Sequence, residues 1–184
     1  MESHFVKSAV LVIDVQQGLC EGDGAAFDCL GTIRRINQVT RKARLVQAPV
    51  IFVQHESDSG YLERGTPDWQ LASGLEVQPN DIKLRKTTPD AFLRTNLEAL
   101  LHSAGIQQLV VCGMHSEFCV DTTTRRALAL GFPVVLGADG HTSAGNQAIS
   151  AEQVIGHENA TLANISSFGP RAIAVASVDV KIGA

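Results

Sequence analysis

Leu109-Val110-Val111-Cys112-Gly113-Met114-His115-Ser116-Glu117-Phe118-Cys119 runs from an unbroken apolar segment through a tight turn into the start of a helix. An apolar run without polar alternation is how a strand buried on both faces reads, as in a parallel sheet. The helical segment, Phe118 to Leu130, ends at Gly131, a residue suited to a C-cap. The same pattern recurs on both sides. Ala9 to Ile13, Val50 to Val53, Val134 to Leu136 and Ala172 to Val175 are further strand candidates, with Ile82 to Leu84 as a weaker sixth.

Helical periodicity separates these runs. Ile33, Ile36, Val39, Ala43 and Val46 recur at helical spacing across Leu30 to Val46, and Pro49 opens the next strand. Phe92, Leu93, Leu97, Leu100 and Leu101 do the same across Pro89 to Ala104, with Thr88 as N-cap and Gly105 as C-cap. A last helix is expected over about Ser150 to Asn164. Strands alternating with helices imply a three-layer α/β/α sandwich with a mostly parallel, Rossmann-type sheet. No linker or repeat divides the chain, so one domain over residues 1–184 is expected. Glu56 to Asn80 is the least regular stretch and a candidate loop over a site or a subunit contact.

Composition narrows the function classes. Hydrophobic residues at 45% and charged residues at 18% fit an ordinary globular protein. A net charge of −4 without a Lys/Arg block argues against nucleic acid as a partner. No apolar run reaches membrane-span length, so no membrane partner is expected. Met1 to Lys7 lacks the pattern of an export signal, which implies a cytoplasmic protein and four free thiols at Cys20, Cys29, Cys112 and Cys119. The histidines lack metal-site spacing and no phosphate-binding glycine motif occurs, so neither metal nor cofactor is expected.

In open α/β sheets ligands bind beyond the carboxyl ends of the strands. Asp14 and Gln16 follow the first run, His55 the second, Lys86 the weak strand, and His115 to Cys119 the fourth. An acid, an amine and a thiol from distant segments therefore meet at one edge. Cys119 at a helix start would gain thiolate character from the unpaired N–H groups there, and those groups can stabilise an oxyanion. An inert, buried cysteine is an equal reading of position alone. Asp14, partly desolvated, suits proton transfer, although a loop anchor is as good a reading. Lys86 is either a solvated lysine or a cation that holds its neighbours charged.

Three segments together resemble the isochorismatase-like cysteine hydrolase superfamily. They are Val10-Leu11-Val12-Ile13-Asp14-Val15-Gln16, Leu84-Arg85-Lys86-Thr87-Thr88-Pro89-Asp90-Ala91-Phe92-Leu93-Arg94-Thr95-Asn96-Leu97, and Val110 to Thr124 around Cys119. The resemblance spans about Val10 to Val175, and Ser116 to Thr123 is similar to the streptothricin-hydrolase-like or uncharacterised branch. It implies a catalytic triad of Cys119 as nucleophile, Asp14 as general base and acid, and Lys86 as charge partner. It also implies a cis peptide at Met114–His115 that aims the N–H groups of His115 and Cys119 at an oxyanion. Members that hydrolyse nicotinamide carry an Asp and two histidines after the second strand. Gln54-His55-Glu56-Ser57-Asp58 departs from that, which argues against zinc and against nicotinamide.

Cys119 thus points to an amidohydrolase that cleaves a small-molecule C–N bond through a thioester. Gln16, His55, Trp69, Glu117 and Phe118 are candidate pocket residues, and a homo-oligomer (dimer or higher) is the expected assembly. The alternatives are an enol-ether hydrolase of isochorismatase type, a non-catalytic or redox-sensing protein on the same fold, and a Cys–His hydrolase using His115.

Overall fold

The computed structural model describes residues 6–183. The reading of Met1 to Phe5 as lacking an export signal falls outside the described residues. Six strands, β1 (Ser8–Ile13), β2 (Val50–His55), β3 (Ile82–Lys86), β4 (Gln108–Met114), β5 (Val134–Thr142) and β6 (Ala172–Val175), form one sheet in the order β3-β2-β1-β4-β5-β6. Every pairing is parallel. The helices are α1 (Gln17–Cys20), α2 (Cys29–Leu45), α3 (Leu97–Ser103), α4 (Asp121–Ala129) and α5 (Ala151–Asn164), with a π-helical turn, Ser116–Val120, leading into α4.

All six residues of β1 are buried, as its unbroken apolar pattern requires. Alternation along the strand sorts them into two cores. Ala9, Leu11 and Ile13 pack with Leu97, Leu101, Ala127, Leu128 and Leu162 of α3, α4 and α5. Val10 and Val12 pack with Ile33, Ile36, Val39 and Ala43 of α2 on the other face. The sheet is therefore covered on both sides, giving the three-layer sandwich expected from the sequence. No helix among the described residues is long and apolar enough to cross a membrane.

The strand order reverses direction between β1 and β4, whose carboxyl ends lie side by side. That switch point leaves a crevice where two connections diverge to opposite faces. Gly113 shapes it: at φ +128 a Cβ there would sit 2.0 Å from the Ile13 carbonyl oxygen, so only glycine lets β4 pass this close to β1.

Four expectations are corrected. The helix predicted from Pro89 begins at Leu97, because Asp90 and Thr95 side chains accept hydrogen bonds from the N–H groups of Phe92 and Leu97 and Arg94 adopts φ +60. The strand predicted to end at Leu136 runs to Thr142, across a register irregularity between Val111 and Gly113. The helix predicted from Phe118 starts as the π-helical turn at Ser116. Cys20 and Cys29 are disulfide-bonded rather than free, because the loop between α1 and α2 folds back and brings their Cα atoms to 5.6 Å. Cys112 and Cys119 remain free.

Candidate active site

Asp14 leaves β1 in the left-handed region (φ 50), with its N–H donating to the Val53 carbonyl at 2.8 Å. Its carboxylate is buried at the switch point. Lys86, the last residue of β3, reaches past the end of β2 and places Nζ 2.6 Å from Asp14 Oδ2. Neither side chain of this pair is more than 2% exposed. The same Nζ lies 3.0 Å from the Thr88 carbonyl oxygen and 3.3 Å from both Cys119 Sγ and His55 Nδ1. The ammonium's three donors are thus fully engaged. Acid, amine and thiol, far apart in sequence, share one crevice.

Cys119 lies within the π-helical turn that follows β4. The Met114–His115 peptide is cis, and the His115 N–H makes no hydrogen bond to a described residue. The thiolate character expected from the helix start does not describe this resting site. Burial, reinforced by the Asp14 carboxylate, pushes the Cys119 thiol up to about 12, while Lys86 opposes the rise. Among the described residues, Asp14 Oδ1 has no hydrogen-bond partner. The arrangement is a neutral thiol beside a carboxylate whose other oxygen is clamped by a lysine.

A cavity of about 180 Å³ opens beside these groups. Leu19, Tyr61, Leu62, Met114 and Phe118 form its apolar walls, with Asp14, His55, His115 and Cys119 as the polar part. Tyr61 and Phe118 are exposed at its mouth. A larger groove of about 850 Å³ lies at the amino ends of β2 and β3, around Pro49 and Ile82, away from the carboxyl ends that carry Asp14 and Lys86.

Of the expected pocket residues, His55 and Phe118 line the cavity, whereas Gln16, Trp69 and Glu117 do not. Gln16 is fully buried as a brace. Its Oε1 accepts from the His55 N–H at 2.8 Å, and its Nε2 donates to the carbonyls of His55 (2.9 Å) and Trp69 (2.8 Å). Trp69 lines a separate hollow with Gln54 and Lys83. Glu117 turns to Ser143, whose hydroxyl donates to Oε1 at 2.7 Å.

The site assignment from sequence missed Leu19, Tyr61, Leu62 and Met114 in the cavity wall, and a buried trio behind it, Ser116, His141 and Asn159. His141 lies buried between Ser116 Oγ, 2.7 Å from Nδ1, and Asn159 Oδ1, 3.0 Å from Nε2. Asn159 Nδ2 donates to the Ala138 carbonyl, so its oxygen faces His141. His141 therefore carries its proton on Nε2, and Ser116 donates to the bare Nδ1. This chain ties α5 and β5 to the first residue of the π-helical turn. Only the positions of Ser116 and His141 after strand candidates could have hinted at it, and nothing in the sequence pairs Asn159 with either. Cys112, the other free thiol, packs in the core on the α2 face, whereas Cys119 packs against the opposite core. The sheet thus separates Cys119 from a resolving thiol.

Residues 8–164 match the family model described as Isochorismatase domain. Streptothricin hydrolase of Streptomyces noursei is 38% identical over 136 residues, covering 73% of this chain and 49% of that protein. The chain thus spans about half the length of the streptothricin hydrolases it matches. Ureidoacrylate amidohydrolase RutB of Variovorax paradoxus is 28% identical over 188 residues, covering 82% of this chain and 75% of that one. A crystal structure of an isochorismatase family protein superimposes with a TM-score of 0.84 at 34% identity, over 92% of this chain and 98% of the other.

Proposed function

This chain belongs to the isochorismatase family of hydrolases, and from that premise we propose that it cleaves the C–N bond of a small amide with Cys119 as nucleophile. One observation carries the reading: Lys86 Nζ lies 2.6 Å from Asp14 Oδ2 and 3.3 Å from Cys119 Sγ in a buried crevice. The names of the relatives, a streptothricin hydrolase and a ureidoacrylate amidohydrolase, support the reaction class.

A thiol pushed up by burial and by the Asp14 carboxylate calls for proton transfer concerted with attack. Asp14 takes the Cys119 proton as the sulfur attacks the carbonyl carbon, because a thiol near 12 is not ionised beforehand. The backbone N–H groups of His115 and Cys119 hold the resulting oxyanion. Protonated Asp14 then gives its proton to the departing nitrogen as the C–N bond breaks, leaving a thioester. Water attacks that carbonyl, and Asp14 takes its proton. The C–S bond then breaks, and Cys119 recovers a proton. One amide and one water become one acid and one amine. Lys86 pairs with the Asp14 carboxylate between steps and offsets the charge that develops on sulfur.

The reading extends to an enzyme that acts as a symmetric homo-oligomer and needs no cofactor. A panel of small amides, ureides and lactams should be hydrolysed by the wild type. Cys119→Ala should reduce hydrolysis to background while leaving the circular dichroism spectrum and urea midpoint nearly unchanged. Amide hydrolysis retained by Cys119→Ala would overturn the proposal.

A further inference from the structure

Resting on the amide-hydrolase reading above, we propose that the acyl part of the substrate is uncharged and largely apolar, and that acyl groups bearing a carboxylate or an ammonium are rejected. The cavity's lining sets the first limit. Leu19, Leu62, Met114 and Phe118 give the cavity of about 180 Å³ mostly apolar walls, which suit an apolar acyl group.

Charge sets the second. Among the described residues that line the cavity, Asp14 is the one carboxylate, and Lys86 Nζ pairs with it at 2.6 Å. All three Lys86 donors are engaged by Asp14, Thr88 and Cys119, so none is left for a substrate carboxylate. Burial pushes His55 and His115 down, which favours their uncharged forms near neutral pH. The nearby guanidinium groups of Arg64 and Arg85 face Glu56 and do not line the cavity. A carboxylate here would lose its hydration beside Asp14 with no counter-cation. An ammonium would find Asp14 Oδ1, but it would then occupy the atom that must receive the thiol proton.

Four amides of matched length test this by ammonia release: butyramide, succinamide, succinamate and 4-aminobutyramide. Butyramide and succinamide should exceed both charged analogues in kcat/KM by on the order of 100-fold, the scale of an unpaired buried charge or polar group. Phe118→Arg, at an exposed mouth position, should raise the succinamate-to-succinamide ratio about tenfold by supplying the missing cation. Equal rates for succinamate and succinamide in the wild type, or an unmoved ratio in Phe118→Arg, would overturn the inference. Should the wild type hydrolyse none of the four, the amidase reading is at fault. The charge inference is then read separately, as protection of Cys119 from iodoacetamide: neutral amides should protect and charged ones should not, and equal protection would overturn it.

Discussion

At Cys119, burial and the Asp14 charge push the thiol up, and Lys86 pulls it down. The two neighbours can therefore be separated by substitution. Asp14→Asn removes a charge that favours the protonated thiol, so the thiol's pKa should fall and iodoacetamide should label Cys119 faster at pH 8 than in the wild type. Lys86→Met removes the only opposing cation, so labelling should slow. Mass-spectrometric mapping reads the site cleanly, because Cys112 is fully buried and itself pushed up to about 12, and Cys20 is bonded to Cys29. Reversed rates would remove Asp14 and Lys86 from control of the thiol. Lys86→Met also strands the Asp14 carboxylate in a buried site, which should destabilise the fold by about 3–5 kcal/mol in urea titration. Position after an apolar run was enough to bring Asp14, Lys86 and Cys119 to one sheet edge. It could not say where a side chain points once it is there. Gln16 satisfies three backbone groups instead of facing the crevice, and Glu117 turns to Ser143.

Among the elements, the π-helical turn Ser116–Val120 is the one whose placement matters most to the proposed chemistry, since it carries Cys119 and follows the His115 N–H. Its first residue is held by the Ser116–His141–Asn159 chain. Ser116→Ala leaves His141 Nδ1 buried without a partner, which should cost about 1–3 kcal/mol. For a protein of this size that lowers Tm by roughly 2–4 °C per kcal/mol. If the chain positions the oxyanion donors, kcat should drop with KM little changed, because a misplaced N–H weakens the transition state more than the bound amide. A Tm loss with kcat intact would make the chain purely structural. Continuous apolar strands and long amphipathic helices such as α2 were legible in the sequence, because burial imposes their period directly. The segment from Pro89 to Asn96 was not. Its apolar residues Ala91 and Phe92 are buried as a helix would bury them, but Asp90 and Thr95 divert the backbone hydrogen bonds. The later part of β5 was hidden for another reason. Gly137 and Gly140 give way to Cys112 Sγ, which a Cβ would meet at 2.9 and 3.2 Å, so the strand continues where its apolar pattern stops.

Across the whole molecule, pH dependence of stability follows from groups whose folded environment disfavours charge. His141, His115 and His55 are all pushed down by burial. Their contribution is present above the unfolded value of 6.5 and is lost as pH falls, because the unfolded chain binds protons that the folded chain refuses. Glu158 on α5 has the opposite sign. Burial raises it from 4.5 to about 7, the charge of Asp121 and its hydrogen bond add to the rise, Glu117 pushes the same way, and Arg125 opposes. A raised carboxyl contributes stability that is full below 4.5 and is lost as pH rises through about 7. Histidines and Glu158 therefore oppose each other between pH 4.5 and 7, and the wild-type profile alone cannot apportion them. Glu158→Gln can, because it keeps the shape and removes the titration. The stability of the wild type minus that of Glu158→Gln, from urea midpoints across pH 4 to 8.5, should be greatest near pH 4.5. It should fall steadily as pH rises and level off above about 7, where Glu158 is charged in both folded and unfolded states. A flat difference would mean that Glu158 ionises in the fold as it does in water, and that the contact between α5 and α4 is not held by a protonated carboxyl.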